Sequence, residues 1–201
     1  STKRIKELIE SGQAGRPVLF QGSYQCNALH APWWREKEKS GGQIAEQVIH
    51  LYDLAIHLFG NVSSVVAYAD NRVHQNVERY TAEDVSASIF RFQNGAVGAI
   101  SASNCAIPGQ WSGVPMIVFE NLTVRFPEGQ PAEFTFTAED PLRKESVEEP
   151  ADAGSAIERH FVDCVQGNAA SLATVRDGRD SLKLVLGASR SAENGGVPVS
   201  L

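Results

Sequence analysis

Several protein classes are excluded by what this sequence contains little of. Only three of its 201 residues are cysteine, and Cys26, Cys105 and Cys164 form no C-x-x-C pair. The sequence therefore indicates neither a zinc knuckle nor a disulfide framework, and we expect a cytoplasmic protein. No window reaches the ~18 consecutive apolar residues that a membrane helix requires. The single methionine is Met116, so we expect the chain to be a segment of a longer protein.

Positive charge is also scarce. Lysine and arginine number 18 against 24 acidic residues, which gives a formal net charge of -6. Phosphate backbones are bound through clustered lysine and arginine, so this balance argues against a nucleic-acid partner. The sequence also lacks a G-x-G-x-x-G or G-x-x-x-x-G-K-[ST] motif. We therefore expect no nucleotide cofactor to bind to this chain by itself.

What the sequence does contain is a block of strands with helices at both ends. The length suits a single domain, residues 1–201. Asn94-Gly95 is typical of a two-residue hairpin turn. The apolar patterning predicts strands at 17–20, 62–69, 85–92, 96–103, 116–119, 122–126 and 134–137. Helices are predicted at the opening, at 41–60 and after the caps Ser155 and Thr174, and the acidic run 139–152 is predicted to be a loop or edge. Strands clustered in this way, with the helices segregated, define an α+β fold.

The helix predicted over 41–60 carries the most informative pattern. Its polar members Glu46, His50, Asp53 and His57 follow one another at steps of four, three and four. Such steps place all four side chains along one side of a helix. The remaining residues are almost all apolar, so we expect a buried helix with a narrow titratable seam. "Seam" hereafter means these four residues.

Three interpretations of the seam remain open on this pattern. The carboxylates could hold the imidazoles in a purely structural network, because buried ionisable groups need partners. A carboxylate could instead orient a histidine one turn away for general acid/base catalysis. A metal site using Glu46 and His50 is the third interpretation, but no second ligand cluster stands out in the sequence.

The residues before and at the start of this helix support the interpretation of the seam as part of a functional site. Ser40 and Gln43 have the spacing of a capping box. Gly41-Gly42 could bring bare backbone N–H groups close to a ligand. Trp33-Trp34-Arg35 could supply a stacking wall and a fixed cation. Simple turn chemistry for the glycines and core packing for the tryptophans are the alternatives.

Taken in order, these segments resemble the C-terminal domain of the glucose–fructose oxidoreductase / inositol dehydrogenase (Gfo/Idh/MocA) family. The opening helix-to-strand junction, the glycine-rich helix with its carboxylate, histidine and aspartate, the hairpin and the closing helix all take part. The matching segments are 5–18, 40–53, 92–98, 175–178 and 191–195. The resemblance spans essentially the whole chain.

The resemblance implies the substrate-binding and dimerisation domain of an NAD(P)-dependent oxidoreductase that acts on a sugar, inositol or related polyol. It implies an open, mostly antiparallel sheet with helices on one face. His50 matches the family's catalytic histidine, and Glu46 stands where the family usually has aspartate. Asp53, Trp34, Arg35 and Gly42 are the implied substrate-binding positions. The family's catalytic lysine and its NAD or NADP site belong to an N-terminal Rossmann domain, so the fragment alone is expected to be inactive and to bind no cofactor.

Two alternatives come from other classes. One is a non-catalytic ligand-binding or assembly module of the same fold. The other is a metal-dependent enzyme that uses Glu46 and His50. We also expect self-association into a homo-oligomer through the sheet face rich in alanine and serine, and no nucleic-acid or membrane partner.

Overall fold

The computed structural model describes residues 1–148 and 153–201 of the chain. The helices are α1 (Thr2–Glu10), α2 (Pro32–Arg35), α3 (Lys37–Ser40), α4 (Gln43–Glu46), α5 (Ile49–Phe59), α6 (Ala153–Val165) and α7 (Val175–Glu193). The strands are β1 (Pro17–Cys26), β2 (Val62–Asp70), β3 (Val85–Phe92), β4 (Val97–Ser103), β5 (Trp111–Gly113), β6 (Met116–Phe119), β7 (Leu122–Arg125), β8 (Ala132–Phe136), β9 (Arg143–Val147) and β10 (Val199–Ser200).

These strands form one open sheet in the order β10-β2-β3-β4-β1-β6-β7-β8-β9, with β5 paired to β1. Strands β1 and β4 run parallel, with Gly22 opposite Ile100. The other paired strands are antiparallel. The α+β class and the mostly antiparallel sheet are therefore confirmed.

One face of the sheet is covered by helices and holds the core. Strand β3 alternates strictly, with Ser86, Ser88, Phe90 and Phe92 buried and the residues between them more exposed. Helices α5 and α7 both pack on this face and contact each other, and Ile5 and Leu8 of α1 join the same core. Alternation at a period of two is the pattern of a sheet packed on one side. The opposite face carries no helix within the described residues.

The hairpin predicted at Asn94-Gly95 is confirmed, but its turn has three residues and not two, because the Phe92 N–H bonds to the Ala96 carbonyl across residues 93–95. Strands β3 and β4 pair across it in antiparallel register, and Gly95 has a φ of 93°, in the left-handed region that glycine adopts freely. The Asn94 side chain donates to the Phe59 carbonyl at 2.9 Å, which ties the turn to the end of α5.

Two predictions about local structure need correction. The Ser40–Gln43 capping box is wrong, because Gly42 occupies the N-cap position and the Gln43 side chain is buried elsewhere. The helix predicted over 41–60 is interrupted between Glu46 and Ile49, where the Val48 N–H bonds back to the Gln43 carbonyl.

The acidic run 139–152, predicted to be a loop or edge, contains the edge strand β9. Its residues 149–152 lie outside the described residues.

The two closing helices differ in how they fit the prediction. Thr174 and Asp177 form the reciprocal capping box at the start of α7. Ser155 does not cap α6, because that helix already begins at Ala153. The apolar side chains of α6 face outward, with Ile157 74%, Phe161 68% and Val165 72% exposed.

The search for membrane-spanning helices covered the described residues. None of the helices found there combines the length and the apolar character needed to cross a bilayer.

Candidate active site

A cleft of about 340 Å³ lies where the loop after β1 meets the junction of α4 and α5. Two predicted site residues from the seam, Glu46 and His50, lie on its wall, and so does the predicted Trp34. The full lining is Tyr24, His30, Ala31, Trp33, Trp34, Glu46, Gln47, His50 and Trp111. This lining is called the aromatic cleft below.

The Glu46 carboxylate is held on the cleft wall by Trp34. The indole N–H of Trp34 donates to Glu46 Oε2 in a short hydrogen bond. Trp34 is 3% exposed, and it packs edge-on against Tyr80 at 6.2 Å between ring centroids. A buried indole N–H needs an acceptor, so this pair fixes the carboxylate while its donor stays satisfied.

His30 also lines the cleft. Its ring lies 4.2 Å from the Trp34 ring and 5.6 Å from the Trp111 ring, between centroids. Its Nε2 is 2.9 Å from the Gln47 side-chain nitrogen, and because an amide nitrogen can only donate, Nε2 accepts that hydrogen bond. Burial lowers the pKa of His30 below its usual value, with the Glu46 carboxylate acting in the opposite direction.

A buried polar network supports α4 beneath the cleft. The Gln43 side chain donates to Asn104 Oδ1 at 2.9 Å and accepts from Ser86 Oγ at 2.9 Å. Cys26 donates to the same Asn104 oxygen at 3.3 Å. Gln43 and Asn104 are each 0% exposed. These bonds link α4 to β1, β3 and the end of β4, so the helix that carries Glu46 is anchored to the sheet.

The seam is not buried, contrary to the prediction. His50, Asp53 and His57 are exposed, because α5 turns Leu51, Tyr52 and Ala55 toward the sheet. His50 lines the cleft, and within the described part of the chain it makes no hydrogen bond to Glu46 or Asp53. An exposed imidazole on a cleft wall is free to exchange a proton with a bound ligand.

The other members of the seam lie outside the cleft lining. Asp53 Oδ1 accepts from Ser181 Oγ at 2.5 Å, which joins α5 to α7. The side chain of His57 is exposed, and its backbone carbonyl accepts from Lys6 Nζ at 3.2 Å. The structure thus gives Asp53 a contact between helices and no place on the cleft wall.

Gly42 and Arg35, also predicted to bind substrate, are not part of the cleft lining. They contact residues that support the cleft. Gly42 has a φ of 90°, and a Cβ there would meet the Glu83 carboxylate at 2.6 Å. That carboxylate accepts the Ile44 N–H at 3.1 Å at the start of α4. The Arg35 guanidinium donates to the carbonyls of Leu29 and His30, each at 3.0 Å. Arg35 therefore fixes the loop that presents His30.

The cluster of described residues with the geometry of metal ligands is His74, Asp84 and Cys105, whose ligand atoms lie within 4.8 Å of one another. Glu46 and His50 do not belong to it. Burial works to raise the pKa of Asp84, but the N–H groups of Arg72, Val73 and His74 outweigh it and hold the pKa below its usual value. Burial and Asp84 raise the pKa of the Cys105 thiol to about 11. The carboxylate thus anchors the backbone of residues 72–74.

Sequence reasoning missed His30, Tyr24 and Trp111, which come from loops and strands distant from the seam. It also missed Gln47, although Gln43 and Gln47 stand four residues apart on an otherwise apolar helix. Two buried amides at that spacing are a signal of a polar network, because each must find partners inside the protein. This signal is present in the sequence, but the sequence analysis interprets Gln43 as part of a capping box and leaves Gln47 without a role.

The fold and the cleft together define an α+β domain with helices on one face of its sheet and a histidine and a carboxylate on one cleft wall. Comparison with known proteins agrees with this class. The GFO/IDH/MocA C-terminal domain family matches residues 2–130. The chain belongs to the GFO/IDH/MocA C-terminal domain family.

Individual relatives are similar over different lengths. A 108-residue stretch is 29% identical to the myo-inositol 2-dehydrogenase of Thermotoga maritima, over 53% of this chain and 32% of that protein. The WlbA dehydrogenase of Bordetella pertussis, in complex with NADH and UDP-GlcNAcA, superposes with a TM-score of 0.77 at 26% identity, over 100% of this chain and 60% of that one. Levoglucosan dehydrogenase in complex with NADH and levoglucosan shares the fold, with a TM-score of 0.84 at 20% identity over 98% of this chain and 62% of that one. The chain thus spans about three fifths of these two structures.

Proposed function

We propose that residues 1–201 are the C-terminal substrate-binding and oligomerisation domain of an NAD(P)-dependent oxidoreductase that acts on a sugar, inositol or related polyol. The observation that carries the proposal is the aromatic cleft, where His50 and Glu46 lie on one wall. Family membership supports it, since the similar dehydrogenases named above act on an inositol and on sugars or their derivatives.

In this proposal His50 is the acid/base residue. Oxidation of an alcohol requires a base for the hydroxyl proton, and the exposed His50 ring can accept it at a ring nitrogen. Glu46, fixed by the Trp34 indole, would accept a hydrogen bond from a neighbouring hydroxyl of the substrate. A nicotinamide cofactor, held by another part of the parent protein, would supply the hydride acceptor.

The described residues do not themselves fit the dinucleotide. Among them the one parallel strand pair is β1 with β4, and the loop after β1, residues 27–31, contains no glycine. A dinucleotide site needs a glycine-rich turn at the end of a parallel strand so that the backbone can approach the pyrophosphate. We therefore propose that NAD or NADP binds to a separate Rossmann domain of the parent protein, which then completes the site.

Self-association through the open sheet face is part of the proposal. That face carries Tyr68, 63% exposed, and Ile89, 62% exposed, among alanine and serine side chains. Exposed apolar patches of this kind are typical of protein interfaces. Light scattering should give a multiple of the monomer mass, and Ile89→Glu should return it to the monomer. A monomeric wild-type protein would contradict this part. A cytoplasmic location is likewise proposed, on the scarcity of cysteine.

The test of the main proposal is turnover by the full-length parent protein. We expect reduction of NAD⁺ or NADP⁺ with at least one member of a panel of sugars, inositols and linear polyols. Absence of turnover across the panel with both dinucleotides would favour a non-catalytic binding module of the same fold. Stoichiometric metal in the purified protein, lost together with activity on chelation, would favour the metal-dependent alternative.

A further inference from the structure

All three tryptophans of this chain line one cleft. Trp33, Trp34 and Trp111 are the complete set in the sequence, and each contributes to the lining of the aromatic cleft. With Tyr24, four of the nine lining residues are tryptophan or tyrosine, and His30 and His50 add two imidazole rings. Aromatic residues make up 8% of the chain, so this concentration is specific to the cleft.

The three tryptophans differ in what they contact. Trp34 is 3% exposed and serves the wall, whereas Trp33 is 51% and Trp111 53% exposed. Leaving a large aromatic surface in water forgoes the burial that usually stabilises such a residue. Core packing therefore explains Trp34, but it leaves the exposed areas of Trp33 and Trp111 available for something that enters the cleft.

Of the two exposed rings, that of Trp111 is held in place before any ligand arrives. Trp111 lies edge-on to Tyr24 at 6.2 Å and to His30 at 5.6 Å, between ring centroids. Its strand β5 is paired to β1, with Trp111 opposite Cys26. Trp33 sits in the short helix α2, directly before the packed Trp34. A rigid aromatic surface binds with less loss of conformational freedom than a mobile one.

Polar groups face the same space. Glu46 and His50 lie on the wall. A carboxylate oxygen and a neutral imidazole nitrogen both accept hydrogen bonds from hydroxyl groups. The cleft therefore offers flat aromatic faces together with acceptors for hydroxyl groups.

A saturated six-membered ring matches both requirements. Its C–H bonds can gather on one flat face, where their partial positive charge suits the negative face of an indole, while its hydroxyls point outward from the ring. A linear polyol presents the same hydroxyls but no fixed apolar face, and it loses more rotational freedom on binding. The contact area with the indole rings and the smaller loss of conformational freedom both favour binding of the cyclic polyol.

We propose that Trp33 and Trp111 form a stacking platform that makes this cleft selective for cyclic polyols, such as inositols and pyranoses, over linear ones. The inference rests on the proposed function, since it assumes that the cleft receives a polyol. It adds two specificity-determining residues to a site whose acid/base chemistry is assigned to His50.

Tryptophan fluorescence of the 201-residue chain tests the platform directly, because its three indoles all lie in the cleft. Titration with myo-inositol should change the emission, whereas galactitol, a linear hexitol, should give a weaker affinity. Trp111→Leu should raise the dissociation constant for the cyclic ligand by about 2- to 12-fold, the equivalent of one aromatic contact, and leave that for the linear ligand unchanged. Trp111→Phe should retain most of the affinity.

Phe161→Leu is the matched control, because Phe161 is 68% exposed on α6 and absent from the cleft lining. It should leave both affinities unchanged. Equal affinity for the two ligands, an equal effect of Trp111→Leu on both, or no binding of either would overturn the platform. Circular dichroism of each variant verifies that it is folded.

Kinetics of the full-length protein separate this inference from the proposed function. Turnover with equal kcat/KM for cyclic and linear polyols would overturn the platform and leave the proposed function standing. Selective binding of the cyclic ligand in the fluorescence titration, without turnover of any polyol, would overturn the proposed function and leave the platform standing. Selectivity in KM that Trp33→Leu and Trp111→Leu reduce, with kcat little changed, is the result we expect.

Discussion

The two ends of the seam have similar sequence chemistry and different surroundings. At the first end, Glu46 is bonded to Trp34, and His50 faces a cleft walled by His30 and Trp111. At the second end, Asp53 is bonded to Ser181, and His57 is exposed outside the cleft lining. Each end pairs a carboxylate with a histidine four residues later. The difference lies in what the rest of the chain places beside each pair, and of the two pairs only Glu46 and His50 belong to the lining of the aromatic cleft.

The largest expected effect distinguishes the two histidines. In the full-length parent protein, His50→Ala should lower kcat by the 10²- to 10⁴-fold typical of a lost general acid/base group. His57→Ala removes a histidine from the same helix but outside the cleft lining, and it serves as the control. Its kcat should stay within about twofold of wild type. Steady-state kinetics on the preferred polyol measure both. Equal losses in the two variants would mean that the cleft does not define the site.

The second effect concerns how each carboxylate is held. Trp34→Phe removes the indole donor to Glu46 and should lower the free energy of unfolding by about 1.5–3 kcal/mol, the usual range for a hydrogen bond to a charged group. Urea denaturation of the chain measures this loss. Trp33→Phe is the matched control, because Trp33 is 51% exposed and its ring makes no such bond in the described structure. A comparable loss in the control would contradict the assigned role of Trp34.

The third effect is a dependence of stability on pH that arises at the cleft. Burial lowers the pKa of folded His30, so between the unfolded value of about 6.5 and the lower folded value the unfolded state binds more protons. The stability that neutral His30 contributes is therefore present above about pH 6.5 and is lost as the pH falls through the folded pKa. His30→Asn, which tolerates the positive φ of 57°, should flatten this part of the stability curve. Parallel curves for the two proteins would contradict the assignment.

The smallest effect belongs to the second end of the seam. Ser181→Ala should lower the free energy of unfolding by about 0.5–1.5 kcal/mol and leave kcat unchanged, because the Ser181–Asp53 bond joins two helices away from the cleft. A double-mutant cycle with Asp53→Ala, which removes the acceptor, isolates that bond. A large loss of kcat in Ser181→Ala would bring Asp53 back into the site.

Much of this fold follows from local patterns. Alternation in β3 and the Asn94-Gly95 turn are short-range signals, and both led to correct elements. The parallel pairing of β1 with β4 joins residues about 80 positions apart, such as Leu19 and Val97, so no local pattern contains it. The three-residue strand β5 has too few residues to show a period.

The candidate site, like the fold, was predictable only where local sequence patterns contain it. Helical spacing brings Glu46 and His50 together, and both lie on the cleft wall. It also groups them with Asp53 and His57, because a helix pattern reports a shared side and not a shared neighbour. His30 and Trp111 reach the cleft through the loop after β1 and through β5, which only tertiary structure places there. The break between Glu46 and Ile49 places Glu46 on α4 and the other three residues of the seam on α5, which the uninterrupted helix pattern did not predict.

The central claim is that the cleft, and not the seam as a whole, is the site. Histidine ring NMR of the chain, titrated with a polyol that the parent protein oxidises, tests it most directly, since the chain has five histidines to assign. We predict that the ring signals of His50 and His30 shift with ligand concentration while those of His57 stay in place. Shifts at His57 with none at His50 would contradict the account.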